Sequence, residues 1–275
     1  MTSAAAIRTV GVIGAGRMGQ PIIGHMARKG FTVVAHDIDP GKREAVASLG
    51  GGWAETPAAL ARRCEAVLVC VGYDRELRAL MSADGLLPDL QRGTIVAVLA
   101  TVHPRTVQEL ADVAASSGVH VVDCTVARGG RAADAGTLLA LVGGDADLVE
   151  RLTPVLACFA SDIVHTGGVG TAQVAKAANN LVMWACLIAN HEALALARRY
   201  GVDVERLRGA LLKSSADNYV LRNWGDNTMA WADDDMAIVE SMAHDVGIDL
   251  PQVGLNREIC RTLKPKRFQL EKYGV

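Results

Sequence analysis

A lysine and an asparagine one helical turn apart form the arrangement in this sequence best suited to proton transfer. Lys176 and Asn180 lie four residues apart in a largely apolar segment, so a helix would place both on one face, where they can contact one bound molecule. Desolvation in such a helix disfavours the ammonium form, which makes Lys176 a candidate proton donor and acceptor, with Asn180 orienting a reacting oxygen. The alternative is a structural lysine whose stem packs on the helix and whose head reaches water.

A Gly-x-Gly-x-x-Gly sequence after an apolar run predicts a dinucleotide-binding turn. Gly14 would permit the tight turn, Gly16 would let a pyrophosphate approach the backbone, and Gly19 would let the next helix pack closely on the sheet. Asp37 ends the following apolar run, 23 residues past the first glycine, at the spacing of a carboxylate that binds ribose hydroxyls. A tight turn without a ligand is the alternative. The predicted cofactor-binding residues are Gly14, Gly16, Arg17, Met18, Gly19 and Asp37.

The glycine turn and the lysine together predict hydride chemistry. A nicotinamide takes or gives a hydride, and a positioned group must take or give the hydroxyl proton. Lys176 would be that group.

Short runs rich in Val and Ile alternate with amphipathic segments after the glycine turn. This alternation predicts an α/β fold, with a Rossmann-type, doubly wound parallel sheet whose faces are both covered by helices. The predicted strands include 66–71, 94–99, 119–122 and 138–142, and the predicted helices include 57–63, 75–81 and 104–116.

The pattern changes at the glycine-rich segment 166–170, beyond which no convincing strand is found and a long helix is predicted over 171–200. We therefore expect an NAD-binding Rossmann domain over 1–165. An all-α C-terminal domain for substrate binding and oligomerisation would follow over 166–275, entered by the long helix. Such a helix would extend about 45 Å, longer than a small domain requires, so a homodimer or homotetramer through this domain is expected.

Composition limits the class of partner. Half of the 275 residues are hydrophobic and the net charge is −2, so no broad attraction to nucleic acid is expected and small molecules are the predicted partners. The six cysteines form neither a CxxC pair nor a Cys/His cluster, so no disulfide or metal site is predicted. Residues 1–8 lack a secretory signal pattern and polar residues interrupt the apolar stretch 181–197, so we expect a cytoplasmic protein without a membrane span.

Four motifs together resemble a known family. The glycine turn 14–19, the segments 123–129 and 136–138, and the run 167–180 are similar to those of the β-hydroxyacid dehydrogenases, which include 3-hydroxyisobutyrate dehydrogenase and tartronate semialdehyde reductase and are related to 6-phosphogluconate dehydrogenase. The resemblance covers nearly the whole chain. It implies a Rossmann domain, an all-helical second domain that forms oligomers, and the roles of general acid/base for Lys176 and of its partner at the substrate oxygen for Asn180.

The chain departs from this family's pattern at the substrate end. Ala127 and Arg128 stand where the family's Asp-Ala-Pro-Val-Ser-Gly-Gly loop has its Ser and first Gly. Val98 and Ala100 replace the acid and serine of an Asp-Met-Ser-Thr-Val-Ser-Pro element, and Asp234 replaces a lysine. Atypical substrate recognition is therefore expected. The predicted substrate-binding residues are Thr101, Ala127, Arg128 and Gly129.

Three further features each allow two interpretations. Arg128 would either bind a substrate acid group through two hydrogen bonds or pair with a surface acid such as Asp134. His103 would face the pocket or, standing before Pro104, begin a helix. The acids 233–235 resemble a metal-binding run, but a helix cannot direct all three one way, which favours a role at a helix N-terminus.

Asp37 favours NAD over NADP because its carboxylate would repel a 2′-phosphate. In family members that use NADP an arginine commonly follows, where this chain has Ile38, although Lys42 and Arg43 keep NADP open.

The sequence as a whole predicts an NAD-dependent dehydrogenase or reductase that acts on CH–OH groups of a small to medium 3-hydroxy acid. An imine reductase-like enzyme and a non-catalytic NAD(H)-binding protein are the alternatives. Retention of Lys176 argues against the first, and retention of Lys176 and Asn180 against the second.

Overall fold

The computed structural model describes residues 6–82, 84–225, 229, 231–262 and 267–274. The chain forms two compact units, Met1–Lys176 and Ala177–Val275, and the break between them lies within a single long helix. The domain boundary between residues 165 and 166 stays a prediction.

An eight-stranded sheet forms the centre of the first unit. The strands are β1 Thr9–Ile13, β2 Thr32–His36, β3 Gly52–Trp53, β4 Ala66–Val69, β5 Ile95–Val98, β6 His120–Ala127, β7 Leu138–Gly143 and β8 Ala160–Gly167. Their spatial order is β3-β2-β1-β4-β5-β6-β7-β8. All neighbouring pairs are parallel except β6 and β7. The prediction of a doubly wound α/β sheet is confirmed.

One neighbouring pair departs from the predicted parallel arrangement, because β6 and β7 are antiparallel. Only residues 128–137 join the two strands. A parallel neighbour needs a crossover of about a dozen residues or more, so this short connection returns the chain in the opposite direction.

Helices cover both faces of the sheet. Those of the first unit are α1 Gly19–Arg28, α2 Arg43–Ser48, α3 Pro57–Ala61, α4 Asp74–Leu80, α5 Pro104–Ala115, α6 Gly129–Ala135 and α7 Ala146–Leu156. Short 3-10 helices lie at Pro40–Lys42 and Leu87–Asp89. Successive side chains of β4 point to opposite faces: Leu68 is buried in one apolar core, and Val67 and Val69 are buried in the other. Two cores around one sheet explain why the predicted strands read as continuous apolar runs.

The second unit is helical. Its helices are α9 Val204–Leu211, α10 Tyr219–Arg222, α11 Ala232–Val246 and α12 Pro251–Thr262, with a 3-10 helix at Arg267–Lys272. The long helix α8, Thr171–Arg199, leads into this unit from the first. Its buried Trp184 and Leu187 pack in one cluster with Met236 and Val239 of α11. The part of the second unit that the structure describes contains no strand, so the all-α prediction is confirmed.

Among the described helices, α8 alone has the length and hydropathy that crossing a bilayer would need. This is weak evidence for a membrane span, because a buried helix of a globular protein meets the same test.

Candidate active site

The glycine turn between β1 and α1 leaves no room for two side chains. The backbone of Gly14 has a φ of 96°, and a Cβ there would lie 2.5 Å from the carbonyl oxygen of Cys70. A Cβ on Gly19 would lie 1.9 Å from the carbonyl oxygen of Gly14. At Gly16, by contrast, a Cβ would meet no protein atom within 4 Å. The fold therefore needs the outer two glycines, whereas the middle one leaves an open backbone face of the kind a dinucleotide pyrophosphate requires.

Asp37 lies beside this turn. Its Oδ2 accepts a hydrogen bond from the backbone N of Ala15 at 2.7 Å, and its Oδ1 accepts one from the backbone N of Asp39 at 2.9 Å. A carboxylate has about four lone-pair sites, so it can still accept from ribose hydroxyls. The next side chain, Ile38, is 95% exposed. These residues fit a dinucleotide.

The other two residues predicted at the turn differ in their contacts. The guanidinium of Arg17 donates two hydrogen bonds, of 2.7 and 2.6 Å, to the carboxylate of Asp134 on α6. This pairing holds the pKa of Asp134 below its usual range. Met18 packs against the apolar core. The structure thus links the turn to α6 through an exposed ion pair.

The segment from Ala127 to Gly129 has an unusual backbone. Ala127 is buried at the end of β6, and Arg128 and Gly129 have φ values of 82° and 72°. Arg128 is the one non-glycine residue with positive φ among the residues described. Its Nη1 donates to Asp162 Oδ2 at 2.7 Å and to Ser161 Oγ at 2.9 Å. The surface acid that pairs with Arg128 is therefore Asp162, not Asp134, and the role of Arg128 as a substrate anchor stays a prediction.

Buried polar contacts fix the start of α8. Asp123, fully buried on β6, accepts from the backbone N of Gly170 at 2.8 Å through Oδ1 and from that of Gln173 at 2.9 Å through Oδ2. Burial raises the pKa of Asp123, and these bonds oppose that rise. Thr125, on the same strand, donates its hydroxyl to the carbonyl oxygen of Ala172 at 3.1 Å. A carboxylate at a helix N-terminus also interacts favourably with the positive end of the helix dipole. These contacts attach the first turn of α8 to β6.

Lys176 follows directly on this first turn. Its Nζ donates to the carbonyl oxygen of Val126 on β6 at 2.8 Å. Asn180 lies one turn further along α8, is buried, and accepts at Oδ1 from Nδ2 of Asn179 at 3.0 Å. The helix therefore carries the two predicted catalytic residues at the spacing expected from the sequence, and their roles stay predictions.

Thr101 lies in the segment after β5 and is half-buried. Its neighbours Ala100 and Val102 are bonded to the side chain of Gln173, at 2.9 and 3.0 Å respectively. Val98 and Ala100, which replace polar residues of the resembled family, are both buried in an apolar core.

Two of the open interpretations are now decided by local contacts. His103 accepts at Nδ1 from the backbone N of Arg105 at 3.2 Å and so caps α5, as its place before a proline suggested. Asp234 lies with its neighbouring acids in the first turn of α11, where Asp233 pairs with Arg257 and Arg261. The run of acids is therefore a helix start.

The cysteines are unpaired thiols, and several of them are buried. All six cysteines are free, and burial raises the pKa of the Cys70 thiol to about 12 and that of the Cys124 thiol as well. No group of three His, Cys, Asp or Glu side chains suited to a metal ion occurs within the described part of the chain.

Sequence reasoning missed Asp123, Thr125 and Gln173 as residues that hold the site. A signal was present: all three are polar residues inside apolar stretches, and buried polar groups need partners. What the sequence lacked was the identity of those partners, which lie as far as 73 positions away.

Comparison with known proteins places the chain in a family. Residues 9–168 match the family model described as the NAD binding domain of 6-phosphogluconate dehydrogenase. Residues 170–269 match that described as NAD-binding of NADP-dependent 3-hydroxyisobutyrate dehydrogenase. The chain belongs to the β-hydroxyacid dehydrogenase family. It is accordingly an NAD(P)-binding oxidoreductase.

One curated relative supports this assignment, and two solved structures show the same fold. A Dictyostelium discoideum protein named "Probable 3-hydroxyisobutyrate dehydrogenase, mitochondrial" is 31% identical over 78% of this chain and 67% of its own length. The Mycobacterium tuberculosis 3-hydroxyisobutyrate dehydrogenase, solved with L-serine, is 22% identical, with a TM-score of 0.85 over 98% of this chain and 96% of that one. An imine reductase from Myxococcus stipitatus, solved with NADP+, is 22% identical, with a TM-score of 0.68 over 96% and 99% of the two chains. The two solved structures share the fold.

Proposed function

We propose that this β-hydroxyacid dehydrogenase family member is an NAD-dependent enzyme that interconverts the alcohol and carbonyl forms of a small to medium hydroxy acid. In this proposal Lys176 is the general acid/base and Asn180 orients the reacting oxygen. The observation that carries it is the 2.8 Å hydrogen bond from Lys176 Nζ to Val126, which holds the amine at the carboxyl end of β6, the edge of the sheet where ligands of doubly wound folds bind.

The proton is the part of the reaction that the protein itself handles. The nicotinamide, when bound, supplies the hydride acceptor or donor. In the oxidation direction Lys176 takes the proton of the substrate hydroxyl, and in reduction it returns a proton to the oxygen as that atom becomes an alkoxide. Asn180 carries an amide that can donate to the same oxygen.

The choice of NAD rests on the end of β2. The carboxylate of Asp37 would repel a 2′-phosphate, and the exposed Ile38 offers that phosphate no cation. Lys42 and Arg43 are nearby, but Arg43 pairs with Glu55 and Lys42 lies 3.9 Å from Asp39. We therefore propose that both cations interact with surface carboxylates and do not bind a cofactor phosphate.

We assign the substrate end to Thr101 and to the segment Ala127, Arg128 and Gly129. Thr101 supplies a hydroxyl, and Arg128 and Gly129 supply backbone groups in a left-handed conformation. The Nη1 of Arg128 is bonded to Asp162. A substrate carboxylate would therefore share this guanidinium with Asp162 or take the place of Asp162. Arg128 therefore shapes the segment in this proposal, with direct binding of a carboxylate as a second role.

Oligomerisation through the helical unit is also proposed. Val182 and Leu196, 14 positions apart on α8, are 63% and 60% exposed. At this spacing the two side chains lie on nearly the same face of the helix, and burial of such apolar groups stabilises association. A homodimer or homotetramer would cover them. A cytoplasmic location stays a prediction.

The test is turnover of a substrate panel by the purified protein with NADH and, separately, NADPH. The panel contains carbonyl compounds with a carboxylate at several distances, carbonyl compounds without one, and cyclic imines. Reduction of carboxylate-bearing carbonyls with NADH at a kcat/KM at least ten-fold above that with NADPH is the expected result. Preferential imine reduction, or NADH binding without turnover of any member, would overturn the proposal.

A further inference from the structure

The side chain of Gln173 bridges two peptide groups on either side of Thr101. Its Oε1 accepts from the backbone N of Val102 at 3.0 Å, and its Nε2 donates to the carbonyl oxygen of Ala100 at 2.9 Å. Gln173 is 1% exposed, and both neighbours of Thr101 are also buried. Water cannot easily replace these bonds at buried groups, so their loss would leave a donor and an acceptor unsatisfied.

Gln173 also belongs to the helix that carries the proposed acid/base. It precedes Lys176 by three positions on α8, a rise of about 4.5 Å, and positions three apart lie on neighbouring parts of one helix face. Its backbone N is bonded to the buried Asp123 of β6. One residue is therefore joined to β6 through its main chain and to the segment after β5 through its side chain.

We propose that Gln173 is a positioning residue that fixes the distance between the Thr101 segment and Lys176 for the proton transfer. This inference rests on the proposed function, because it assigns Lys176 to the proton and Thr101 to the substrate. A displacement of about 1 Å between reacting groups can lower a rate about 100-fold, so a single bridge of this kind is sufficient to affect turnover.

Two substitutions at this position separate positioning from simple packing. Gln173→Met keeps the length of the side chain and removes both hydrogen bonds. Gln173→Glu keeps both bonds only while the introduced carboxyl group is protonated, since the neutral acid can donate to Ala100 and accept from Val102. The ionised form can only accept, and it would face the carbonyl oxygen of Ala100. Burial raises the pKa of such a carboxyl group, so activity should be present below that pKa and lost as the pH rises through it.

The matched control is Gln91→Met. Gln91 is an exposed glutamine just before β5 whose Nε2 donates to the carbonyl oxygen of Arg62 at 2.6 Å. It makes a side-chain to backbone hydrogen bond within the same unit but joins neither Thr101 nor the residues that hold Lys176, so its loss should leave turnover within about two-fold of the unmodified protein.

The experiment measures kcat, KM for NADH and the pH profile of the four proteins, together with hydrogen exchange at the Val102 amide. We expect kcat to fall about 100-fold in Gln173→Met with KM for NADH unchanged and Val102 exchange accelerated. Gln173→Glu should approach normal kcat at low pH and lose about ten-fold per pH unit above the pKa of the new carboxyl group.

Unchanged kcat in Gln173→Met, or a pH profile of Gln173→Glu that overlays that of the unmodified protein, would overturn the inference. If Gln173→Met does not fold, the pH profile of Gln173→Glu decides alone. Failure of the proposed function looks different, because the unmodified protein would then turn over no carbonyl substrate. The Val102 exchange rates would still show whether Gln173 holds the Thr101 segment, and unchanged rates would contradict it.

Discussion

Two strand-to-helix turns of the first unit achieve unusual backbone conformations in different ways. The turn from β1 to α1 depends on Gly14 and Gly19, where any side chain would collide with backbone atoms. The turn from β6 to α6 has an arginine at positive φ, and the side chain of Arg128 is bonded to Ser161 and Asp162 at the start of β8. The first turn thus needs glycines that a sequence pattern reveals, even though the contact that confines Gly14 comes from Cys70, whereas the side chain at the second turn is bonded to residues more than thirty positions away.

The difference explains which part of the site is readable from sequence. A glycine pattern after a strand predicts a tight turn from six residues, and the carboxylate of Asp37 at the expected spacing favours a turn fitted to a pyrophosphate. The conformation of the second turn is held by an ion pair between distant residues, which no local pattern reveals. In the same way, local patterns indicate the chemistry that the family shares, whereas substrate choice depends on contacts between distant residues.

The largest effect is expected from adding a side chain at Gly19 in the first turn. Gly19→Ala would place a Cβ 1.9 Å from the carbonyl oxygen of Gly14, a backbone atom that can move only if the turn opens. We expect a loss of about 3 kcal/mol or more in the free energy of unfolding, together with loss of NADH binding. Chemical denaturation and a binding titration measure the two effects. A stable variant with normal NADH affinity would show that the turn is not fixed by this contact.

A smaller effect is expected from adding a side chain at Gly16, where the turn leaves open space. Gly16→Ala meets no protein atom within 4 Å, so the fold should tolerate it, while the added methyl group would project where a pyrophosphate approaches. We expect unchanged stability and an NADH dissociation constant raised about ten-fold, or about 1.4 kcal/mol. Gly168→Ala is the control, since it also meets no atom within 4 Å and has no positive φ. Equal NADH affinity in both variants would remove Gly16 from the cofactor site.

The smallest effect is expected at the second turn. Arg128→Gly removes an ion pair whose side chains are 34% and 54% exposed, and it also removes the cost of a non-glycine residue at positive φ. An exposed pair contributes about 0–1 kcal/mol and the strained conformation costs about 1–3 kcal/mol, so the stability should stay near that of the unmodified protein or rise slightly.

The substrate KM of Arg128→Gly shows whether Arg128 only stabilises the backbone conformation of this segment or also binds the substrate carboxylate. If Arg128 shapes the segment, glycine can adopt the same backbone conformation and KM should change by less than about three-fold. A KM raised about 30-fold or more for carboxylate-bearing substrates only would instead make Arg128 the carboxylate anchor, because charged hydrogen bonds contribute about 1.5–3 kcal/mol. Carbonyl substrates without a carboxylate serve as the internal control.

Much of the fold was predictable, and the exceptions have physical causes. The apolar runs at β4 and β5 are buried on both faces and read directly as strands. The direction of β7 was not readable, because a strand buried on both faces shows the same pattern in either direction. Strand β8 was missed because half of the residues of this edge strand are exposed and several are polar.

Whether a residue of the candidate site could be predicted likewise depended on whether it lies in a local sequence pattern. Lys176, Asn180 and the glycine turn lie in local patterns with a definite spacing, so the sequence indicated them. Gln173 was not singled out, because its significance depends on Ala100 and Val102, more than seventy positions earlier. The residues proposed to perform the chemistry were thus easier to find than those proposed to hold them in place.

The most direct test of the account compares Lys176→Met with Lys213→Met, an exposed lysine of the second unit. Methionine preserves the length of the side chain and removes the amine. For the best substrate of the panel, we predict that Lys176→Met lowers kcat by about 10²–10⁴-fold while the NADH dissociation constant stays within about two-fold, with Lys213→Met unaffected in both. Turnover by Lys176→Met within a few-fold of the unmodified protein would contradict the assignment of Lys176 as the general acid/base.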